Sequence, residues 1–577
     1  MQHARVRRFT GSQILDYILD ENEAEDTEPH SDMDEQVSEA EDKVDYQPEY
    51  IDTSDESDEE ATSAEPAAVP AETFKSKSGK ICWSSEPPDL HGKAAAADVI
   101  KMTPGITRLA VTRVSDIKTC FELFMPLSLT KVIIAMTNLE GKKVHGNMWN
   151  DINEECLDAY IGVLLLAGVY RSYNEATDSL WDKSRGRYIF PATMSLHTFR
   201  MISRVFRFDN RDTRAKSDKL APIRDVWEKW VQLLPLMFNP GPQVTVDERL
   251  IPFRGNCPFR QYMPSKPGKY GIKIWAACDA KTSYAGNLQI YTGKPESGIP
   301  EKKQGQRVVL DLTTGLRGHN ITCDNFFTSY DLGQELLRRK LTMVGTIKKN
   351  KPERNTEILQ VKDRTGKKKK YVILMSTFHK DAAVSSRSDK KPTIILDYNK
   401  NKGGVDNLDK LTATYTCQRM TRRWLMAVFY NILDVSAYNA LVLWTHIHPG
   451  WNTKKNNKRR IFLEELGSSL VKAHIEQRKR VSRDPIAAAV IRQMQSSSST
   501  PSTPSTTQRE SVPASSSSSS LASTSTSTAT ATTPVMPSDS KRKRCQVCPS
   551  NKDRKTHTLC FHCKKYICKE HAKSVSF

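Results

Sequence analysis

The sequence predicts a mixed α/β core, interrupted by an insertion and flanked by helical segments on both sides, with a disordered acidic region before it and a small cysteine-rich module after it. Three patterns carry this expectation. Apolar residues recur three and four apart from about 105 to 241 and again from about 416 to 495, as amphipathic helices require. Short alternating runs take turns with helical ones from 242 to 347 and resume over 393–415. Both ends are polar, so only 38% of the 577 residues are hydrophobic, and the folded body must lie between the ends.

Residues 1–104 begin with a short amphipathic pattern around Ile14, Leu15, Ile18 and Leu19 and then become acidic. From 16 to 60 the chain holds 21 acidic residues against one basic residue, Lys43, a local net charge of −20. Such a stretch has too little apolar surface to fold alone. The whole chain carries +19, so the remainder stands at +39. A folded body with that charge calls for a polyanionic partner, and nucleic acid is the usual one. Lysines kept for solubility alone do not need so large an excess.

Helical periodicity then runs through CFELFMPLSLTKVIIAMTNLEG, ECLDAYIGVLLLAGVYRS, LHTFRMISRVFRFDN and IRDVWEKWVQLLPLMFNPG, with Leu157, Ile161, Leu164 and Leu165 on one face. Pro240-Gly241-Pro242 closes this region. The next stretch, QVTVDERLIPFRGNCPFRQYMPSKPGKYGIKIWAACDA, sets Asp247 after the alternating Val244-Thr245-Val246 and crowds Arg249, Arg254, Arg260, Lys266, Lys269 and Lys273 behind it. Tyr270–Cys278 and Tyr284–Tyr291 read as paired strands around the turn at Asp279. A helix over Arg307–Thr314, a strand over His319–Cys323 ending at Asp324, a helix over Tyr330–Arg339 and a strand over Leu341–Ile347 complete an order that an RNase H-like nuclease core uses.

Lys348 to Pro392 is rich in basic residues, carries the alternating run Tyr371–Thr377 and reads as an inserted subdomain. Thr393–Tyr398 reads as a short strand. After Gly403-Gly404 a helix over Val405–Leu411 puts Asp406 in its first turn and Asp409 one turn later on the same face. Helices return in RRWLMAVFYNILDVSAYNALVLWTH and IFLEELGSSLVKAHIEQRKR. Residues 496–540 are a Ser/Thr/Pro-rich linker, and 541–577 form the cysteine-rich module.

Asp247 on a first strand, Asp324 at the end of a later one and Asp406 at a helix start are distributed as a two-metal nuclease needs them. Two hard Mg²⁺ ions (or Mn²⁺) roughly 3.5–4 Å apart require carboxylates converging from different elements. Asp279, Asp311 and Asp397 also stand near strand or turn ends, and pattern alone does not separate them from the trio. Of the 12 cysteines, seven are scattered and five fall between Cys545 and Cys568, as Cys545-x2-Cys548, Cys560-x2-Cys563 and Cys568-x2-His571. This is the spacing of zinc ligands in a segment too small for a core of its own. No signal-peptide core follows Met1, and no run of about 18 apolar residues is evident, so a chain without a membrane partner, in a reducing compartment, is expected. The cluster Lys541-Arg542-Lys543-Arg544 suits nuclear import.

VTVDERLIPFRGNCPFRQYMPSKPGKYGIKI, NITCDNFFTSYDL, MVGTIKKNK, YNKNKGGVDNLD and the helix start TRRW, in that order, closely resemble the piggyBac family of DNA transposases, from about 105 to 480 and again through the cysteine tail. The resemblance implies an RNase H-like catalytic core with an inserted subdomain, and flanking helices combined into an all-helical dimerisation and DNA-binding domain. It makes Asp247, Asp324 and Asp406 a metal-binding DDD triad and Asp409 a further acidic residue needed for activity. It implies a homodimer that nicks double-stranded DNA at the terminal inverted repeats, forms a hairpin through the freed 3′-hydroxyl and inserts at TTAA. Lys348 and Lys351 match DNA-contacting positions; Arg422 and Arg423 start the TRRW helix, where Trp424 either stacks on a base or joins the core. In the tail, Cys545, Cys548, Cys568 and His571 would hold one zinc, with Cys560 and Cys563 half of a second. The family's last cysteine pair has no counterpart before Phe577, unless His557 or His562 substitutes. The competing expectation is a domesticated, transposase-derived nuclear protein that binds DNA or chromatin without transposing.

Overall fold

The computed structural model describes residues 73–85, 99–215, 217–294, 301–348, 351–353, 372–388 and 390–497, together with short backbone elements at 543–544, 555–556 and residue 566. The chain divides into two units, 1–501 and 502–577. In the second, Lys543–Arg544 pairs antiparallel with Lys555–Thr556. The six zinc-ligand candidates and the N-terminal helical pattern lie outside the described residues.

Part of the stretch expected to be disordered is folded. Strands β1 (Thr73–Lys75) and β2 (Cys82–Ser84) form a hairpin. It docks on the core and on the chain just after it: the Trp83 indole N–H donates to the Glu353 carbonyl at 2.9 Å, and its ring meets Tyr330, at the start of a core helix, edge-on. The large aromatic Trp83 at both contacts supplies the apolar surface that seats this piece.

After β3 (Gly105–Ile106), four of the predicted helices follow: α1 (Leu127–His145), α2 (Glu154–Val169), α3 (Leu196–Val205) and α4 (Arg224–Met237). Side-chain caps start two of them, with Asn153 accepting from the Cys156 N–H and Ser195 from the Thr198 N–H. Strand β4 (Phe238–Asn239) pairs back to β3.

The core sheet contains β5 (Gln243–Pro252), β6 (Gln261–Tyr262), β7 (Tyr270–Asp279), β8 (Ala285–Ile290), β9 (Asn320–Cys323), β10 (Thr342–Ile347) and β11 (Ile373–Ser376). Its order is β11-β10-β9-β5-β7-β6, with β8 also on β7; β10, β9 and β5 run parallel and the other pairs are antiparallel. Helices α5 (Gln304–Leu312) and α6 (Tyr330–Arg338) connect β8 to β9 and β9 to β10. Two local expectations are corrected here. Strand β11, placed by sequence in an inserted subdomain, is the edge strand of the core sheet, because its alternating residues extend the pairing surface of β10. Thr393–Tyr398 is no strand: α7 (Thr393–Asn401) starts at Pro392, whose missing N–H suits a helix start, and packs against β5, β10 and β11. Its β-branched opening misleads, since tertiary packing outweighs the weak local preference.

Helix α8 (Gly404–Thr414) follows at once, then α9 (Trp424–Ile447), α10 (Lys458–Glu476) and α11 (Pro485–Ser497). These C-terminal helices close over the N-terminal ones. Gly162 of α2 and Gly467 of α10 meet where the axes approach: a Cβ on Gly162 would stand 2.9 Å from the Gly467 carbonyl oxygen. Trp230 of α4 donates to the Ser436 hydroxyl of α9 at 2.9 Å, and Phe206 and Phe208 pack on Phe429. One helical core is thus made from segments on either side of the sheet in sequence. Helix α9 is by length and average hydropathy able to cross a membrane although polar residues such as Asn431 and Asp434 interrupt it, and 89% of its most apolar stretch is buried inside the protein.

Candidate active site

Alternation along β5 sends Val244 and Val246 to the apolar layer under α5 and α6, and therefore Thr245, Asp247 and Arg249 to the opposite face. In the parallel ladder to β9 the last pair is Val246 with Cys323. Asp247 and Asp324 are the next residues on adjacent strands, so their backbones lie about 5 Å apart and their side chains share a face. A turn fixes Asp324: its carboxylate accepts from the Phe326 N–H at 2.8 Å, and its carbonyl accepts from the Thr328 hydroxyl at 2.8 Å.

Helix α8 brings the third aspartate. Gly404 lets it sit directly on β5, where a Cβ would come within 2.6 Å of Thr245 Oγ1. The same hydroxyl donates to the Asn401 carbonyl at 2.5 Å, fixing the end of α7. One turn into α8, the buried Arg249 donates from Nε to Asp409 Oδ1 at 2.7 Å and from Nη2 to Thr412 Oγ1 at 3.1 Å. These contacts hold Asp406, in the first turn, beside the strand aspartates. Its near oxygen is taken by Lys266, whose ammonium stands 2.6 Å from Asp406 Oδ1 and 3.8 Å from Asp409 Oδ2.

The charges are coupled. Burial pushes the Asp247 carboxyl up to about 7, and the neighbouring charges of Asp406 and Asp324 push the same way. Asp324 is raised as well, first by burial and then by Glu248, against the Phe326 N–H and the charge of Lys348. Burial also raises Asp409, although Arg249 and Lys266 oppose it. For Lys266, burial acts downward, but the hydrogen bond and charge of Asp406, then Asp409 and Asp247, outweigh it and raise the ammonium. The site as a whole is short of positive charge.

Three carboxylates are the hard oxygen donors that Mg²⁺ or Mn²⁺ takes, and their crowding is what a divalent ion relieves. By donor chemistry the residues fit. As they stand, no three acidic, His or Cys side chains among the described residues are gathered closely enough to hold a metal. The exposed member, Asp406, is turned to Lys266.

Of the predicted DNA contacts, Lys348 is exposed directly after β10, its ammonium 5.4 Å from the Phe326 ring centre. Lys351 is half-buried, its N–H donating to the Lys348 carbonyl, and Arg422 is exposed. Arg423 and Trp424 are occupied within the protein, Trp424 taking the core alternative. The Arg423 guanidinium donates to the carbonyls of Ser203, Arg204 and Phe206, and Trp424 is 9% exposed with its ring edge-on to Phe259. Both bind the helical body to itself and present little to a ligand.

The rival aspartates separate as well. Asp279 is buried and accepts from the Gly241 N–H, the Thr282 N–H and the Thr282 hydroxyl, as a turn residue. Asp311 pairs with Arg307 within α5, and Asp397 with His379. Sequence reading counted Arg249 and Lys266 among a crowd of cations and did not see that they divide the two α8 carboxylates between them. The available signal was Arg249 itself, two residues past Asp247 and so on the same buried face.

A mixed sheet that sets Asp247, midway along β5, beside Asp324, just past the end of β9, with a third aspartate on a docked helix and lysines close by, is an arrangement a DNA-processing enzyme of the transposase class can use. The family described as Transposase IS4 matches residues 116–441, and the chain belongs to that family, in its piggyBac-type branch. It is 24% identical over 359 residues to the human PiggyBac transposable element-derived protein 3, a match that covers 55% of this chain and 59% of that protein. The same identity and length hold for the human Chimeric ERCC6-PGBD3 protein, of which 33% is covered. The chain thus spans little more than half of the first relative and a third of the second. A piggyBac transposase solved by cryo-electron microscopy as a synaptic complex with hairpin DNA is 30% identical, with a TM-score of 0.63, covering 82% of this chain and 98% of that one.

Proposed function

We propose that this chain is a cut-and-paste DNA transposase whose core works as an RNase H-like nuclease, with Asp247, Asp324 and Asp406 as ligands for divalent metal. The observation that carries this reading is the convergence of those aspartates, each from a different element, while each rival aspartate is engaged elsewhere. Bound Mg²⁺ or Mn²⁺ would activate a water or 3′-hydroxyl for in-line attack on phosphorus and stabilise the leaving oxygen. The chain's own residues do the rest. Arg249 and Asp409 position α8 and with it Asp406. Lys348, Lys351 and Arg422 hold the phosphate backbone beside the carboxylates. The hairpin intermediate, TTAA joining and a homodimer follow from the family reading, and the likeness to a synaptic complex with hairpin DNA lends support to the hairpin step alone. Zn²⁺ in the cysteine tail and nuclear import through Lys541–Arg544 belong to the same proposal.

Purified protein, Mg²⁺ and a labelled duplex carrying the element's own end beside TTAA test it. Nicking followed by a hairpin product is expected. A folded, DNA-bound but inert protein favours the second reading, a domesticated DNA- or chromatin-binding derivative. The printed name of the human relative, a transposable element-derived protein, gives that reading its support.

A further inference from the structure

Lys266 stands on a tight turn between β6 and β7. The Met263 N–H donates to the Lys269 carbonyl at 2.6 Å, the Lys266 N–H to the Met263 carbonyl at 3.1 Å and the Lys269 N–H to the Lys266 carbonyl at 3.0 Å. Tyr262 and Tyr270 pack together at the base of this turn, with ring centres 4.8 Å apart. The base of the side chain is therefore fixed, and the side chain itself is only 15% exposed although its partner Asp406 is 63% exposed. An ammonium held in this way differs from a mobile surface ion pair, which contributes little. Asp409 does not compete for it strongly: one carboxylate oxygen is engaged by Arg249 at 2.7 Å and the other lies 3.8 Å from the ammonium. The main partner of Lys266 is Asp406 at 2.6 Å.

This arrangement accounts for a mismatch within the site. Asp247, Asp324 and Asp406 are near enough for their charges to act on one another, yet they are not gathered as a metal-binding group. We infer that Lys266 is an internal counter-cation that competes with the divalent ion for Asp406, so that metal binding works against the Lys266–Asp406 pair. The inference rests on the reading of Asp406 as a metal ligand. Two effects have the same sign. The ammonium holds one oxygen of Asp406, and with it the orientation of the carboxylate, and it repels an arriving dication. Removing the charge at position 266 should therefore tighten metal binding, whereas removing a lysine that merely supports the fold should weaken it or leave it unchanged.

The test is calorimetric titration of Mn²⁺ into the full chain at fixed pH and ionic strength, comparing wild type, Lys266→Met, Lys266→Gln and Lys266→Arg. The site is identified as the binding event that Asp406→Asn removes. Lys266→Met and Lys266→Gln are expected to bind Mn²⁺ roughly tenfold more tightly, equivalent to about 1.4 kcal/mol, with Lys266→Arg close to wild type. Near-ultraviolet circular dichroism shows which variants are folded, and either neutral variant suffices. Unchanged or weaker Mn²⁺ binding by a folded neutral variant overturns the counter-cation and leaves the metal reading standing. Wild type without any event that Asp406→Asn removes overturns the metal reading itself.

Discussion

On one face of the central sheet, Val244, Val246, Ile321, Cys323 and Met343 pack against Val308, Val309, Leu332 and Leu336. On the other, the intervening residues of the same strands include Thr245, Asp247, Arg249 and Thr322, with Asp324 just beyond, and α8 adds Asp406 and Asp409. The first face is stabilised by apolar area, a sum over many small contacts that no single partner controls. The second is stabilised by pairing, so each charge depends on a few named partners. The difference teaches where chemistry can reside: the apolar face makes the sheet stable enough to carry a carboxylate cluster that, taken alone, disfavours folding.

The largest effect should come from breaking a pair. Arg249→Met leaves the half-buried Asp409 without its closer partner, with only Lys266 at 3.8 Å, and should cost on the order of 3 kcal/mol in urea unfolding. Adding Asp409→Asn should return a large part of that loss. Leu336→Ala on the apolar face should cost about 2–5 kcal/mol, and the same Asp409→Asn should not rescue it. Equal rescue in both backgrounds would remove the distinction between the faces.

A smaller effect separates charge burial from hydrogen bonding within the helical body, at Asp434 of α9. Burial raises the Asp434 carboxyl to about 6, against the N–H of Cys417 and the hydroxyl of Thr416. Between its ordinary value, 3.8, and that figure the folded chain binds more protons than the unfolded one, so stability falls as pH rises through this window. Asp434→Asn should therefore reduce the loss of stability between pH 4 and 7, by roughly 1–3 kcal/mol relative to wild type. Parallel curves for the two proteins would show the carboxyl is not raised.

The smallest contrast concerns the rival aspartates. Asp279→Asn keeps one acceptor but loses another in a buried turn and should cost about 1–2 kcal/mol. Asp311→Asn, in an exposed pair with Arg307, should cost under about 1 kcal/mol by thermal unfolding. Asp311 is therefore the cleaner control for activity.

The alternation at Val244-Thr245-Val246 fixes which face Asp247 occupies, and the helix after Gly403-Gly404 puts Asp406 and Asp409 one turn apart, so much of the site was legible before any fold was known. The helical segments were legible for the same reason, a repeating apolar face. What periodicity does not contain is pairing across the fold. Nothing local tells that Arg249 goes to Asp409 and Lys266 to Asp406, because those partners are set by how α8 docks on β5. Nor does local preference tell that Thr393–Tyr398 becomes helix α7 or that Trp424 is enclosed by Phe259, since both follow from neighbours distant in sequence.

The central claim, that the polar face is a metal-dependent strand-cleavage site, is tested most directly by Asp324→Asn in a nicking assay with Mg²⁺ on the element's own end, beside Asp311→Asn. Asp324→Asn preserves volume and the acceptor for the Phe326 N–H while removing the charge. It should abolish nicking with DNA binding nearly intact, while Asp311→Asn nicks at the wild-type rate. An active Asp324→Asn protein would contradict the account.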